Sequence, residues 1–257
     1  MDPATLIGVV LAFVAIFAAM ILEGGSPGAI FLLPPLILVF VGTFGAAMAG
    51  GMLKDTIALV DSFKRVLLGS VAPADGLVDD IVKLAEKARR EGLLALEDAM
   101  KEVQDPFLKK GLQLAIDGTD SEELATILEA EVDAKRKADK QAGAIFTGMG
   151  GYAPTIGIIG TVLGLIHVLE NLSEPEKLGH LIAGAFVATL WGVLSANVLW
   201  LPMAAKLKRL SELECAQMEL VIAGIINIQA GANPRLVAQK LRSLLPPSSG
   251  TEKKEAA

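Results

Sequence analysis

Charge is missing from long parts of this chain of 257 residues: segments 5–22, 29–53, 141–169 and 181–205 contain no Asp, Glu, Lys or Arg. A helix needs about 20 mostly apolar residues to cross a bilayer. Four such stretches exclude a soluble globular enzyme as the default. Cysteine is equally scarce: Cys215 stands alone, which excludes a disulfide framework and a Cys-rich metal site. The net charge of −6 is distributed over segments of mixed sign, so nothing points to nucleic acid. No Ser/His/Asp set, paired-histidine motif or pair of buried aspartates stands in the apolar stretches. Intramembrane hydrolysis is therefore unsupported, and neither an enzyme nor a bound cofactor is expected.

What is present is apolar: 53% of the residues are hydrophobic and the mean hydropathy is +0.54, against about 45–50% in ordinary soluble domains. Membrane spans are expected at about 5–22, 29–50, 150–169 and 181–203. The basic residues are unevenly shared: 51–145 holds fourteen Lys/Arg, 204–257 holds eight, the link at 170–180 holds Lys177 and the link at 23–28 none. Lys and Arg near span ends are retained in the cytoplasm. This places the large loop, the tail and both termini inside, with the short links outward. Met1-Asp2-Pro3-Ala4-Thr5 has no basic region and a second span follows closely, so the first span reads as retained rather than as a cleaved signal. The expected class is an all-α polytopic membrane protein. Its parts are a hairpin over 1–50, a cytoplasmic helical domain over 51–145, a second hairpin over 146–203, cytoplasmic helices over 204–245 and a disordered tail from 246.

The cytoplasmic mass reads as one-striped helices. Leu59, Phe63, Val66 and Leu67 form one stripe; Leu77, Ile81, Leu84, Ala85 and Ala88 form the next, with Pro73 and Gly76 as punctuation between them. Asp105-Pro106 opens a helix that Asp117-Gly118 closes, and Thr119-Asp120-Ser121-Glu122 has capping-box spacing for another. On that helix Glu131/Lys135 and Asp133/Lys137 have i, i+4 spacing. It runs toward the third span as a stalk. Asn233-Pro234 is a cap followed by proline at the first helical position.

Within the spans, small residues recur. Gly184, Ala188, Gly192 and Ala196 repeat every four residues; Ala153, Gly157 and Thr161 lie on one line of the third span, with Gly160 and Gly164 beside it. Such faces let helix backbones approach, without saying which partner they meet. No carboxylate lies inside a span; Glu23 and Glu170 sit at outer ends and His167 near one. Ion carriers mark their path with intramembrane ionisable groups, so a titrating group here would have to come from another subunit. Thr161 and Thr189 have hydroxyls near mid-span. They either line a path or bond back to their own helix carbonyls. Pro154 removes a backbone bond inside an apolar helix, as a hinge or as a static kink. Pro202 can simply mark where the span ends.

These residues carry a resemblance. The run from Gly151 to Ile166, GYAPTIGIIGTVLGLI, together with Ala188-Thr189-Leu190-Trp191-Gly192, Ala196-Asn197 and Leu201-Pro202, resembles the signature of the MotA/TolQ/ExbB proton channel superfamily. The four-span layout resembles its flagellar stator branch, the MotA family. The resemblance implies a homo-oligomer, five copies around MotB, whose single-span helix has the essential aspartate. It implies passage of protons or sodium ions and a cytoplasmic contact with the rotor protein FliG. It implies rotor-contact residues at Arg89 or Arg90 and at Glu97, and coupling roles for Pro154 and Pro202. The rivals are a TolQ/ExbB-type energiser, which would lack the first hairpin, and a membrane scaffold that conducts nothing.

Overall fold

The computed structural model describes residues 3–245; the tail expected to be disordered lies outside them. Among the described residues every regular element is helical: α1 Ala4–Leu22, α2 Leu33–Ala49, α3 Leu53–Leu68, α4 Ala74–Glu91, α5 Leu96–Ala99, α6 Pro106–Ile116, α7 Ser121–Glu170, α8 Pro175–Ser195, α9 Leu201–Gln229 and α10 Pro234–Leu244. Short 3-10 segments occupy Pro27–Ile30 and Leu93–Ala95, and a π-helical turn, Ala196–Trp200, joins α8 to α9. The chain forms two compact units, one from residues up to Ser70 with Ala138–Leu210, the other from Val71–Lys137 with the chain from Ser211 on.

The first unit is apolar on its outside. Helix α1 buries none of its residues, and Leu163, Phe186 and Leu190 are exposed on α7 and α8. That inversion is what a lipid solvent permits. α1, α7 and the α8–α9 run are each long and apolar enough to span a membrane, while α2 is shorter at 17 residues. It starts later than expected. The expected second span began at residue 29, but Pro27–Ile30 is a 3-10 turn and Leu32 is extended. Pro34-Pro35 falls in the first turn of α2, where the missing N–H groups would have no intrahelical partner in any case, so the helix accommodates both prolines by starting at Leu33. The Trp191 indole donates to the Ile30 carbonyl at 2.7 Å, and Phe13, Phe31 and Phe40 surround its ring at 5.6–6.3 Å. This cluster fixes the first hairpin on α8. Helix α3 buries Leu59 and Val66 against Phe146, Trp200 and Leu207. Leu67, expected on that stripe, is exposed: at 100° per residue it has rotated past Val66 and out of the contact.

The second unit is built in the opposite way. Val78, Ile81, Leu84 and Ala85 of α4 meet Leu108 and Leu112 of α6, Leu124 and Leu128 of α7, Val221 and Ile225 of α9, and Val237 and Leu241 of α10 in one core. Asp105 caps α6, accepting from the Leu108 N–H at 2.7 Å, and Asn233 caps α10, accepting from Arg235 at 3.1 Å. Gly118, at φ +81°, ends the α6 turn, a backbone shape in which glycine carries no steric penalty. Two punctuation readings change. Gly76 lies inside α4, which Pro73 alone precedes. The cap of α7 is Asp120, accepting from Glu122 N–H at 3.0 Å, rather than Thr119 of the capping-box reading; a carboxylate is the stronger acceptor at a helix start. On α7, Lys135 pairs with Glu214 at 2.6 Å, Asp133 with Arg136 at 2.9 Å and Glu131 with Lys110. Two of these partners belong to other helices, which spacing along one helix cannot reveal.

Candidate functional site

The small faces of the third and fourth spans turn out to face each other. A methyl group added at Gly157 would stand 2.8 Å from the Ala188 carbonyl oxygen and 3.2 Å from Gly192 Cα. One added at Gly192 would stand 2.6 Å from the Ala153 carbonyl oxygen and 3.3 Å from Pro154 Cα. These are backbone-on-backbone contacts that no side chain survives. Gly160 and Gly164 meet Ala188 and Ala185, each 2.6 Å from where a Cβ would lie. Ala188 and Ala196 are buried. Gly184 differs: a Cβ there would find only Leu32 Cδ1, at 3.9 Å. Its place in the four-residue repeat is therefore not explained by helix contact.

Across this seam the two threonine hydroxyls are brought together and hydrogen-bond each other. Thr161 Oγ1 also lies 3.0 Å from the Ala185 carbonyl of the opposite helix and 3.3 Å from Gly157 O of its own. Thr189 Oγ1 lies 3.3 Å from the same Gly157 carbonyl. Each hydroxyl has one proton to donate, so two protons serve more acceptors than they can satisfy at once. Back-bonding within one helix therefore describes only part of the arrangement. Both side chains are half-buried. Four oxygens converge there, a polar spot able to relay a water chain or supply ligands to a cation.

Both prolines lie in continuous helix. Helix α7 passes through Pro154 without interruption, although the proline gives the Gly150 carbonyl no i+4 donor. Pro202 does not end the helix: α9 continues from Leu201 to Gln229. The π turn just before it explains how. Leu201 N–H reaches back five residues to the Ala196 carbonyl, so the register slips by one residue where the proline lacks a donor, an adjustment that apolar helices use around proline. The π turn was not read from the sequence. Its only signal was a proline inside an apolar run that keeps its helical period on the far side.

The charged candidates sit in the second unit. Arg89 and Arg90 occupy the last turn of α4, where cations complement the helix dipole. Gly92, at φ +87°, turns the chain, and the Leu93–Ala95 segment leads to Glu97 in α5. Leu96 anchors this corner in the core, leaving Arg89, Arg90 and Glu97 exposed, with Leu94 exposed at 74% beside them. Next to Glu97, a hydrogen bond from Lys101 to Asp98 at 2.8 Å holds the Asp98 carboxyl below its ordinary range and raises Lys101. No group of three or more His, Cys, Asp or Glu side chains that would hold a metal occurs among the described residues.

Comparison with known proteins gives one consistent result. Residues 99–220 match the MotA/TolQ/ExbB proton channel family. The chain is 40% identical over 248 residues to Motility protein A of Bacillus subtilis (strain 168), covering 96% of this chain and 92% of that protein. Among solved structures it is similar to C. jejuni MotAB, with a TM-score of 0.92 and 32% identity over 96% of this chain and 97% of the other. It is also similar to the flagellar MotAB stator complex of Bacillus subtilis, with a TM-score of 0.88 and 38% identity over 95% and 96%.

Proposed function

The chain belongs to the MotA/TolQ/ExbB proton channel family, and from that premise we infer that it is a stator subunit of the bacterial flagellar motor, working in an oligomer with MotB. The observation that carries this reading is the α7–α8 seam: a paired-hydroxyl spot in an apolar helix hairpin that has no carboxylate of its own. A subunit that lines an ion path without a titrating group needs a partner that has one. MotB is that partner, through an aspartate on a single-span helix. The full-length likeness to flagellar stator proteins, including the α1–α2 hairpin, supports this over a TolQ/ExbB-type energiser.

The working arrangement is five copies around MotB in the inner membrane, with both termini in the cytoplasm. The chain is not an enzyme; it directs the movement of ions. Protons are the leading ion, with sodium as the alternative, and Thr161 and Thr189 line the path. One elementary charge falling through 100 mV releases about 2.3 kcal/mol. That energy would move the helices containing Pro154 and Pro202, and the exposed Arg89, Arg90 and Glu97 would transmit the motion to FliG.

Two measurements test the reading. In liposomes the chain alone is expected to pass neither protons nor sodium; substantial conductance without MotB would remove the case for a partner carboxylate. In cells, swimming speed should be independent of sodium at fixed pH and collapse with a proton uncoupler. Speed that follows sodium and survives the uncoupler assigns sodium instead.

A further inference from the structure

We propose that a slot between α2, α7 and α8 is a lipid site that takes an acyl chain of a zwitterionic phospholipid, with His167 and His180 holding the headgroup phosphate. This goes beyond the stator function and does not depend on it. The slot, open on one side, has a volume of about 440 Å3 and is lined by Pro34, Leu38, Leu163, Leu181 and Ala185. That is within the usual size of small-molecule sites, about 300–1,000 Å3. Gly160, Ala188, His167 and His180 also line it, the first two nearer mid-span and the histidines toward the outer ends of α7 and α8. From residue 160 to 167, and from 188 to 180, is roughly 10–12 Å at the helical rise. The slot is therefore an apolar channel about two turns deep with a polar mouth, and the shape matches an amphiphile.

Gly184 is a small residue of the slot that helix packing within the chain does not require. Gly157, Gly160, Gly164 and Gly192 are small because a neighbour stands where a Cβ would be. Gly184 lines the slot and has no such neighbour. A side chain there would enter the slot and close it. The threonine pair is not among the lining residues, so this is not the proposed ion path. An apolar hollow in the hydrocarbon layer attracts no water, and left unfilled it forfeits dispersion contacts. At that depth the solvent is lipid, and an acyl chain fills the slot with no polar group to satisfy.

The mouth selects the headgroup. The chain has two histidines and both are there. Imidazole N–H groups donate hydrogen bonds to phosphate oxygens. The adjoining link contains Glu170, Glu174, Glu176 and Lys177, with Lys177 bonded to Glu174 at 2.6 Å. Its acidic excess disfavours a purely anionic headgroup and favours a phosphate that carries its own ammonium, as in phosphatidylethanolamine.

The test is native mass spectrometry of the assembled complex with MotB in detergent, after addition of phosphatidylethanolamine, phosphatidylglycerol or diacylglycerol. The wild type is expected to retain phosphatidylethanolamine at least tenfold better than diacylglycerol and better than phosphatidylglycerol. Gly184→Leu should abolish retention with the oligomer intact, and Gly184→Ala, which adds one methyl group, should reduce it. His167→Ala with His180→Ala should lower phosphatidylethanolamine retention to the diacylglycerol level. Equal retention by wild type and both Gly184 variants overturns the site. Break-up of the oligomer by Gly184→Ala would mean that a second copy of the chain fills the slot. Unchanged retention in the double histidine variant, or tighter binding of phosphatidylglycerol, overturns the headgroup assignment.

Discussion

The α7–α8 seam and the core of the second unit are both helix-on-helix contacts, yet they are made of opposite materials. In the seam, Gly157 and Gly192 bring backbones together until a single methyl group would collide with a carbonyl oxygen. In the core, Ile81, Leu112, Leu128 and Ile225 interdigitate as full-sized side chains with essentially no exposure. The difference follows from the solvent. In water, burying aliphatic surface is itself favourable, by about 25 cal/mol per Å2. In a bilayer lipid tails are as apolar as leucine, so helices associate through close packing and polar contacts instead. The seam is therefore sensitive to added atoms and the core to removed ones.

The largest expected effect tests that asymmetry directly. Gly157→Leu should abolish swimming and assembly, because the backbones of α7 and α8 must part; size-exclusion of the complex with MotB checks it, and a normal complex would break the comparison. Leu112→Ala, the corresponding removal in the core, should destabilise the second unit by about 2–5 kcal/mol, read as a lower midpoint in denaturant. The same deletion at lipid-facing Leu163 should leave the midpoint nearly unchanged.

Pro154→Ala sharpens the view of the seam as a moving contact. It restores a backbone donor while keeping the small contact with Gly192. Membrane insertion and assembly should be normal and motility much reduced. A motor of full speed would reduce Pro154 to a tolerated kink. A smaller effect is expected at the surface of the second unit. Glu97→Lys or Arg89→Glu should slow the motor with assembly and ion flow intact, since exposed pairs contribute about 0–1 kcal/mol. Opposite reversals on FliG should restore speed, and consistent failure to rescue would remove the contact.

The smallest concerns Asp98. Its folded-state pKa is depressed by the Lys101 hydrogen bond, so its stabilising contribution is present above the ordinary carboxyl range and disappears as pH falls through the folded value. Asp98→Asn should therefore be slightly less stable than wild type at neutral pH and equal to it in strong acid. A variant less stable at both would contradict the pairing.

Much of this was legible before the structure. Gaps in charge locate apolar helices whatever their neighbours, and helical periodicity marked Ile81, Leu84, Ala85 and Ala88 as one stripe, because in water the buried face of a helix must be apolar along its length. The caps at Asp105 and Asn233 were readable because capping is settled within a few residues. The 3-10 turn at Pro27–Ile30, which puts the start of α2 four residues inside the expected span, was not legible, since the Trp191 indole that bonds the Ile30 carbonyl is far away in sequence. The π turn before Pro202 was not legible, because a proline alone does not say whether a helix stops or slips its register.

Composition and charge spacing thus determined the class, the apolar helices and the absence of an intramembrane carboxylate, all consequences of transferring side chains between water and lipid. Tertiary structure alone decided that the glycine faces of α7 and α8 meet each other, that Thr161 and Thr189 share a hydrogen bond, and that Gly184 faces a slot. A small residue leaves no signature of what fills the space beside it. In lipid, where no hydrophobic drive ranks one apolar face above another, only the packed backbones choose the partner.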